Sequence, residues 1–248
     1  MTDTTVQTLL VLGGTSDIGR AAALAFAAEG WYIQYAGRFL DALQRDADDI
    51  AARTTVPVTI HAFDVLDTAA FPAFIAGLPV LPDAVLCVVG LLGDQIAAQG
   101  DPLQAGLVMR SNFEGPAQIL GIFANHFEKR GSGTIIGVSS VAGDRGRASN
   151  YIYGASKAGF SAFLSGLRNR MAKCNVHVIT IKPGFVRTRM TAGMKLPNAL
   201  TAAPAELGKA IWLAHAKKKD VVYTRPIWRL VMTIICSIPE AVFKRLSL

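Results

Sequence analysis

The chain has 248 residues, about half of them apolar, and its 25 basic against 18 acidic side chains give a net charge of +7. This length and composition suit one large α/β domain with a substantial core, and exclude a disordered, repeat-built or low-complexity chain. The basic residues are scattered, with only Lys217–Lys219 forming a run and no interleaved aromatics, so nucleic acid is not expected as a partner; a phosphorylated cofactor or an acidic membrane surface is.

Cys87, Cys174 and Cys236 stand far apart in apolar surroundings and read as small core residues rather than a disulfide framework. His61, His126, His177 and His215 show no metal-ligand spacing, so no metal centre is expected. The start at Met1 is polar, without the charged and then apolar run of a secretory leader, which predicts a cytoplasmic protein.

In chain order, Thr8 to Leu12 is an apolar strand that runs into Gly13, Gly14, Thr15, Ser16, Asp17, Ile18 and Gly19, followed by an alanine-rich helix over Arg20 to Glu29. A strand, a glycine turn and a helix in that order bring backbone close to a pyrophosphate and aim a helix amino terminus at its charge. Trp31 to Ala36 is a second strand ending at Gly37-Arg38, and Asp41 to Ala52 an amphipathic helix. An arginine at that strand end suits the 2′-phosphate of NADP, so NADP(H) is favoured over NAD(H). Val56 to Phe63 is a third strand with Asp64 and Val65 at its end, where Asp64 suits an adenine amine, and Phe71 to Ala76 is a short helix. Ala84 to Val89 is an apolar central strand, and the small residue Gly90 after it leaves room for a cofactor.

Leu103 to Glu128 reads as one long helix. It carries the polar Asn112 beside Gly115 and Pro116, either as a kink filled by a hydrogen-bonding amide or as the holder of an active-site water. Thr134 to Ser139 is a buried strand with Ser140 where it breaks, and Tyr153 and Lys157 are four apart on a following helix, hence on one face. Such an ammonium favours an ionised phenol, so Lys157 is expected to bring the Tyr153 proton within reach, with the Ser140 hydroxyl holding a developing oxyanion. The reaction this suits is reduction of a carbonyl or its reverse. Val176 to Ile181 is a further strand, ended by Pro183 and Gly184, and the loop from Phe185 to Ala203 is a candidate lid. A helix over Ala205 to Ala216 and a strand over Asp220 to Thr224 complete the fold expected for residues 1–225, a single Rossmann-type doubly wound parallel sheet with helices on both faces.

Together these landmarks resemble the short-chain dehydrogenase/reductase family over nearly the whole chain. Gly13 and Gly19 meet its glycine motif, Asp64 its adenine-side aspartate, Asn112 its helix asparagine, Ser140, Tyr153 and Lys157 its catalytic set, and Pro183, Gly184 and Thr188 its Pro-Gly segment with a downstream threonine. The resemblance implies Tyr153 as proton donor, Ser140 as carbonyl orienter, Lys157 on the nicotinamide ribose and Asn112 on a proton-relay water. It implies cofactor contacts from Gly13 through Gly19, including Thr15, Ser16, Asp17 and Ile18, and from Arg38, Asp64, Val65, Gly90, Pro183, Gly184, Val186 and Thr188. Two departures stand out: Asp17 replaces the motif's middle glycine, and Cys87-Val88-Val89-Gly90 replaces its Asn-Asn-Ala-Gly segment. Asp17 is expected to cap the following helix.

The segments Leu12 to Gly19, Gly90 to Asp94, Val186 to Met190 and Ile238 to Leu246 are similar to those of the decaprenylphosphoryl-2-keto-ribose reductases of mycobacterial cell-wall synthesis, which implies a keto sugar on a polyprenyl phosphate as substrate. A soluble reductase of acyl thioesters or small ketones is the alternative, and a nucleotide-sensing protein without turnover the one from another class. The tail at 226–248 is too short in its uncharged run to span a bilayer; it is expected to form two short amphipathic helices, at a membrane interface, on a partner subunit or over the pocket. The family resemblance also implies a homodimer or homotetramer.

Overall fold

The computed structural model describes residues 6–246; the polar start at residues 1–5 and the last two residues of the tail lie outside them. In chain order the strands are β1 (Thr8–Leu12), β2 (Tyr32–Gly37), β3 (Val58–Ala62), β4 (Ala84–Cys87), β5 (Gly133–Val138), β6 (Val176–Lys182), β7 (Phe185–Val186), β8 (Thr201–Ala202) and β9 (Val221–Tyr223). The main sheet is parallel throughout, in the order β3-β2-β1-β4-β5-β6-β9, while β7 and β8 form a separate parallel pair. The helices are α1 (Asp17–Ala27), α2 (Leu40–Thr54), α3 (Phe71–Ala76), α4 (Gln95–Gly100), α5 (Pro102–Met109), α6 (Gly115–Arg130), α7 (Tyr151–Met171), α8 (Pro204–Ala216), α9 (Ile227–Ser237) and α10 (Glu240–Phe243).

Both faces of the sheet are covered, which is why its central strands read as unbroken apolar runs rather than alternating ones. Alternate residues part to opposite sides: Leu9 and Val11 of β1 join Phe26 of α1, Leu43 of α2 and Ile211 of α8, while Leu10 and Leu12 join Phe71 of α3, Phe123 of α6 and Phe160 of α7. The strand order reverses between β1 and β4, so the crevice beyond their carboxyl ends is where such a sheet binds ligands.

The long helix expected over Leu103 to Glu128 is interrupted. A π turn over Arg110–Glu114 separates α5 from α6, for a reason Asn112 and Pro116 supply. The Asn112 Nδ2 donates to the Val108 carbonyl at 2.8 Å, and Pro116 has no N–H for the carbonyl of Asn112 one turn back. α4 is an element the sequence reading did not contain, started by Asp94, whose carboxylate accepts from the N–H groups of Ile96 and Ala97. The tail does form two helices, and they pack on the same domain. Trp228 and Met232 of α9 are buried against Val141 and Phe185, and Arg145 donates to the carbonyls of Cys236 and Ile238 and stacks 4.0 Å over the Phe243 ring. Cys236 is exposed rather than a core residue, with its thiol at the edge of the tail's contact with the domain, 3.4 Å from the Asp144 carbonyl.

Candidate active site

The glycine turn, Gly90, Ser140 and Pro183-Gly184 follow the carboxyl ends of β1, β4, β5 and β6, so the parallel sheet alone delivers them to one rim. α7 begins at Tyr151 and carries Tyr153 and Lys157 to the same place. A methyl group added at Gly90 would stand 3.0 Å from Asn112 Oδ1 and 3.5 Å from Lys157 Nζ, so these three residues share one pocket wall that only a glycine leaves open. Asn112 is fully buried, with its amide nitrogen also 2.6 Å from the Leu91 carbonyl and its oxygen accepting from Leu91 N–H at 3.1 Å. Both amide N–H donors are thus taken by backbone carbonyls, while the amide oxygen keeps one lone pair beyond its Leu91 bond.

Ser140 accepts from the Ala142 N–H at 3.1 Å and is hydrogen-bonded to the Tyr153 hydroxyl. Lys157 is buried and donates to the Val138 carbonyl at 3.1 Å; burial lowers it to about 8, with Cys87 opposing the drop. The Tyr153 ring keeps some exposure, but its hydroxyl lies in desolvated surroundings that push it up to about 12, a rise the Ser140 hydrogen bond opposes. This corrects the expectation that Lys157 depresses Tyr153: the Lys157 nitrogen is 5.8 Å from the ring centroid, and burial outweighs it.

The residues around the glycine turn fit a nicotinamide dinucleotide. Gly13 has φ +90°, and a methyl there would meet Val89 N at 3.0 Å; one on Gly19 would meet the Gly13 carbonyl at 2.8 Å. Ser16, not Asp17, caps α1, accepting from Gly19 N–H at 3.0 Å, so the N–H groups of Asp17 and Ile18 in the first turn remain for an anion. Asp17 is one place too late to cap, and its carboxylate turns across the turn instead, to the Arg189 N–H at 2.7 Å and the Arg189 Nε at 3.2 Å. Thr15 contributes its carbonyl to the Arg189 Nη2.

Arg38 is exposed, with its guanidinium 5.3 Å over Phe39. One oxygen of the exposed Asp64 accepts from Leu66 N–H at 3.0 Å, leaving the other free for an adenine amine, and Val65 packs its carbonyl against Gly115. The Pro183 carbonyl accepts from Val141 N–H, Val186 is buried in β7, and Thr188 opens a tight turn through the Thr191 hydroxyl. An open cavity of about 590 Å³ lies beside the glycine turn, lined by Asp17, Arg187, Thr188, Arg189, Met194 and Asn198 among others. Two residues at this rim were not among the sequence candidates. Arg189 reaches Asp17 across 172 positions, a pairing with no local signature. Trp228 lies so close to Gly184 that a methyl there would fall 2.0 Å from the indole; a tryptophan opening an otherwise aliphatic tail helix was the available signal.

Residues 7–198 match the family model described as short chain dehydrogenase. The chain is 34% identical over 247 residues to an uncharacterised oxidoreductase of Streptomyces coelicolor, covering 97% of this chain and 96% of that one. It is 32% identical over 250 residues to an uncharacterised oxidoreductase of Mycobacterium tuberculosis, covering 99% of each. Among solved structures, a short-chain dehydrogenase from Sphingobium yanoikuyae in complex with NADPH superposes with a TM-score of 0.81 at 20% identity, over 95% of this chain and 98% of that one.

Proposed function

The chain belongs to the short-chain dehydrogenase/reductase family, NAD(P)-dependent oxidoreductases acting on a CH–OH or ketone group, and from that premise we propose that it reduces a keto sugar carried on a polyprenyl phosphate, with NADPH as the preferred cofactor. The cofactor, when bound, supplies the hydride to the carbonyl carbon. Tyr153 gives its proton to the carbonyl oxygen while the Ser140 hydroxyl donates to the same oxygen and holds the charge that develops there. A phenol at about 12 keeps its proton at neutral pH until a stronger base forms beside it, as the nascent alkoxide does. Lys157, at about 8, gives up a proton more readily and is suited to return one to the phenolate, and its ammonium would also hold the cofactor's ribose.

The observation that carries the substrate class is the seat of the tail. α9 rests its inner face on Gly184 and Val141, the residue after Ser140, and turns Leu230 (57% exposed) and Ile234 (56% exposed) outward beside Ile227. Val242 and Leu246 further along the tail are exposed as well, as are the tail's Arg229, Lys244 and Arg245. Among the described residues no helix is long and apolar enough to cross a membrane. An apolar, basic surface at the rim of the catalytic pocket suits a lipid-linked substrate drawn from an anionic interface. A homodimer or homotetramer is part of the same proposal, through the exposed Leu103, Leu107 and Phe113.

The test titrates the protein with NADPH and NADH by nicotinamide fluorescence, then offers a keto-pentose on a short polyprenyl phosphate while following cofactor oxidation. Tighter NADPH binding that Arg38→Ala removes, with turnover of the lipid-linked ketone, is the expected result. Turnover of acyl thioesters or small ketones alone would reject the lipid-linked substrate, and binding with no turnover of any ketone would favour a nucleotide sensor.

A further inference from the structure

The replacement of the motif's middle glycine by Asp17 sets an electrostatic problem. Its carboxylate stands in the first turn of α1, at the positive end of the helix that a cofactor's diphosphate would also use. Left alone, it would repel that anion. It is not left alone: the Arg189 backbone N–H and Nε both reach it, and the Arg189 Nη2 reaches the Thr15 carbonyl in the same turn.

We propose that Asp17 and Arg189 act as one unit in dinucleotide binding, Asp17 holding Arg189 across the glycine turn and the Arg189 guanidinium supplying the positive charge that meets the cofactor's diphosphate. Of the five N–H bonds of a guanidinium, one on Nε and one on Nη2 are engaged here, so three remain for phosphate oxygens. The Arg189 side chain is 74% exposed and Asp17 29%, so their ion pair is screened by water and readily remade around an incoming anion. Both residues line the open cavity beside the turn, so the unit sits where a ligand can reach it. The unit also explains how a family member tolerates an acid in its glycine turn: the arginine comes from the loop after Thr188, and the two charges offset each other. Asp17 is a positioning residue in this account and Arg189 the one that meets the ligand.

The proposal rests on the dinucleotide binding that family membership implies, and its test separates the two. Dissociation constants for NADPH and NADH are measured by nicotinamide fluorescence for the unaltered protein and for Arg189→Ala, Arg189→Lys, Asp17→Asn and the Asp17→Asn/Arg189→Ala double variant. Because the diphosphate is common to both cofactors, Arg189→Ala is expected to weaken both by the same factor, roughly tenfold, as loss of a charge-assisted contact does. Arg189→Lys, keeping the charge without the fork, should fall between. The decisive readout is a change of sign: Asp17→Asn should weaken binding while Arg189 is present and tighten it once Arg189 is gone, since the carboxylate is then a bare repulsion.

An effect of Arg189→Ala confined to NADPH would place the guanidinium on the 2′-phosphate and overturn the proposal. So would tighter binding, which would make the pair a plug, or unchanged binding of both cofactors. Additive effects of the two substitutions would overturn the claim that they form one unit. Failure of the unaltered protein to bind either dinucleotide would remove the cofactor reading itself.

Discussion

Tyr153 is anchored in two ways, by the Ser140 hydrogen bond at its hydroxyl and by the packing of its ring against Ala98, Val108 and Ile152. Phenylalanine retains the second and loses the first, so Tyr153→Phe should fold and bind dinucleotide normally while kcat/KM for ketone reduction falls by roughly 10²- to 10⁴-fold, the range a general acid contributes. Steady-state reduction measured beside a fluorescence titration checks this, and near-normal turnover would remove Tyr153 from the chemistry. The positions of Ser140, Tyr153 and Lys157 were legible in the sequence because strand ends and the four-residue helical repeat are local. What surrounds their reactive atoms was not. The desolvation that raises Tyr153 and lowers Lys157 is set by how α7 beds against β5, and no window of sequence contains it.

At the scale of elements, α8 shows a cost of dense packing. His215 sits in an aromatic box of Phe26, Trp31 and Trp212, its Nδ1 without a hydrogen-bond partner among the described residues, and burial with help from His177 and Lys218 lowers it to about 4. The unfolded chain therefore binds a proton near pH 6.5 that the folded chain refuses until about 4. Stability linked to His215 is complete above pH 6.5 and is lost as the pH falls from there toward 4. Chemical denaturation at a series of pH values should show this slope in the unaltered protein and a shallower one in His215→Phe, and identical slopes would reject the assignment. Element boundaries were legible to within a few residues where periodicity was long, as in α2 and α7. α4 escaped because it is only six residues long and its local signal is the cap at Asp94, whereas the kink at Asn112, Gly115 and Pro116 was legible and only its form as a π turn was not.

For the whole molecule, the doubly wound sheet was the most legible feature, since the apolar strands and alternating helices leave few other ways to bury both faces. The seat of the tail was open, because an amphipathic helix does not record which surface its apolar side will meet. α9 has apolar residues on two sides, one on the domain and one outward, which is the basis for a membrane prediction. Leu230→Ser with Ile234→Ser should abolish co-sedimentation with vesicles rich in anionic lipid and leave dinucleotide affinity intact, because both side chains point away from Gly184. Retained sedimentation would argue against this face as the lipid contact.

The contact between Trp228 and Gly184 has an optical consequence. The chain has three tryptophans, and Trp31 and Trp212 meet edge to face beside His215 around α8, leaving Trp228 as the indole at the catalytic rim. Excitation energy can pass from that indole to a reduced nicotinamide held nearby, while protonation of His215 quenches the other two. The emission lost in Trp228→Phe is therefore the channel that reports cofactor arrival and tail docking, and the emission that remains reports acid unfolding, with no label added.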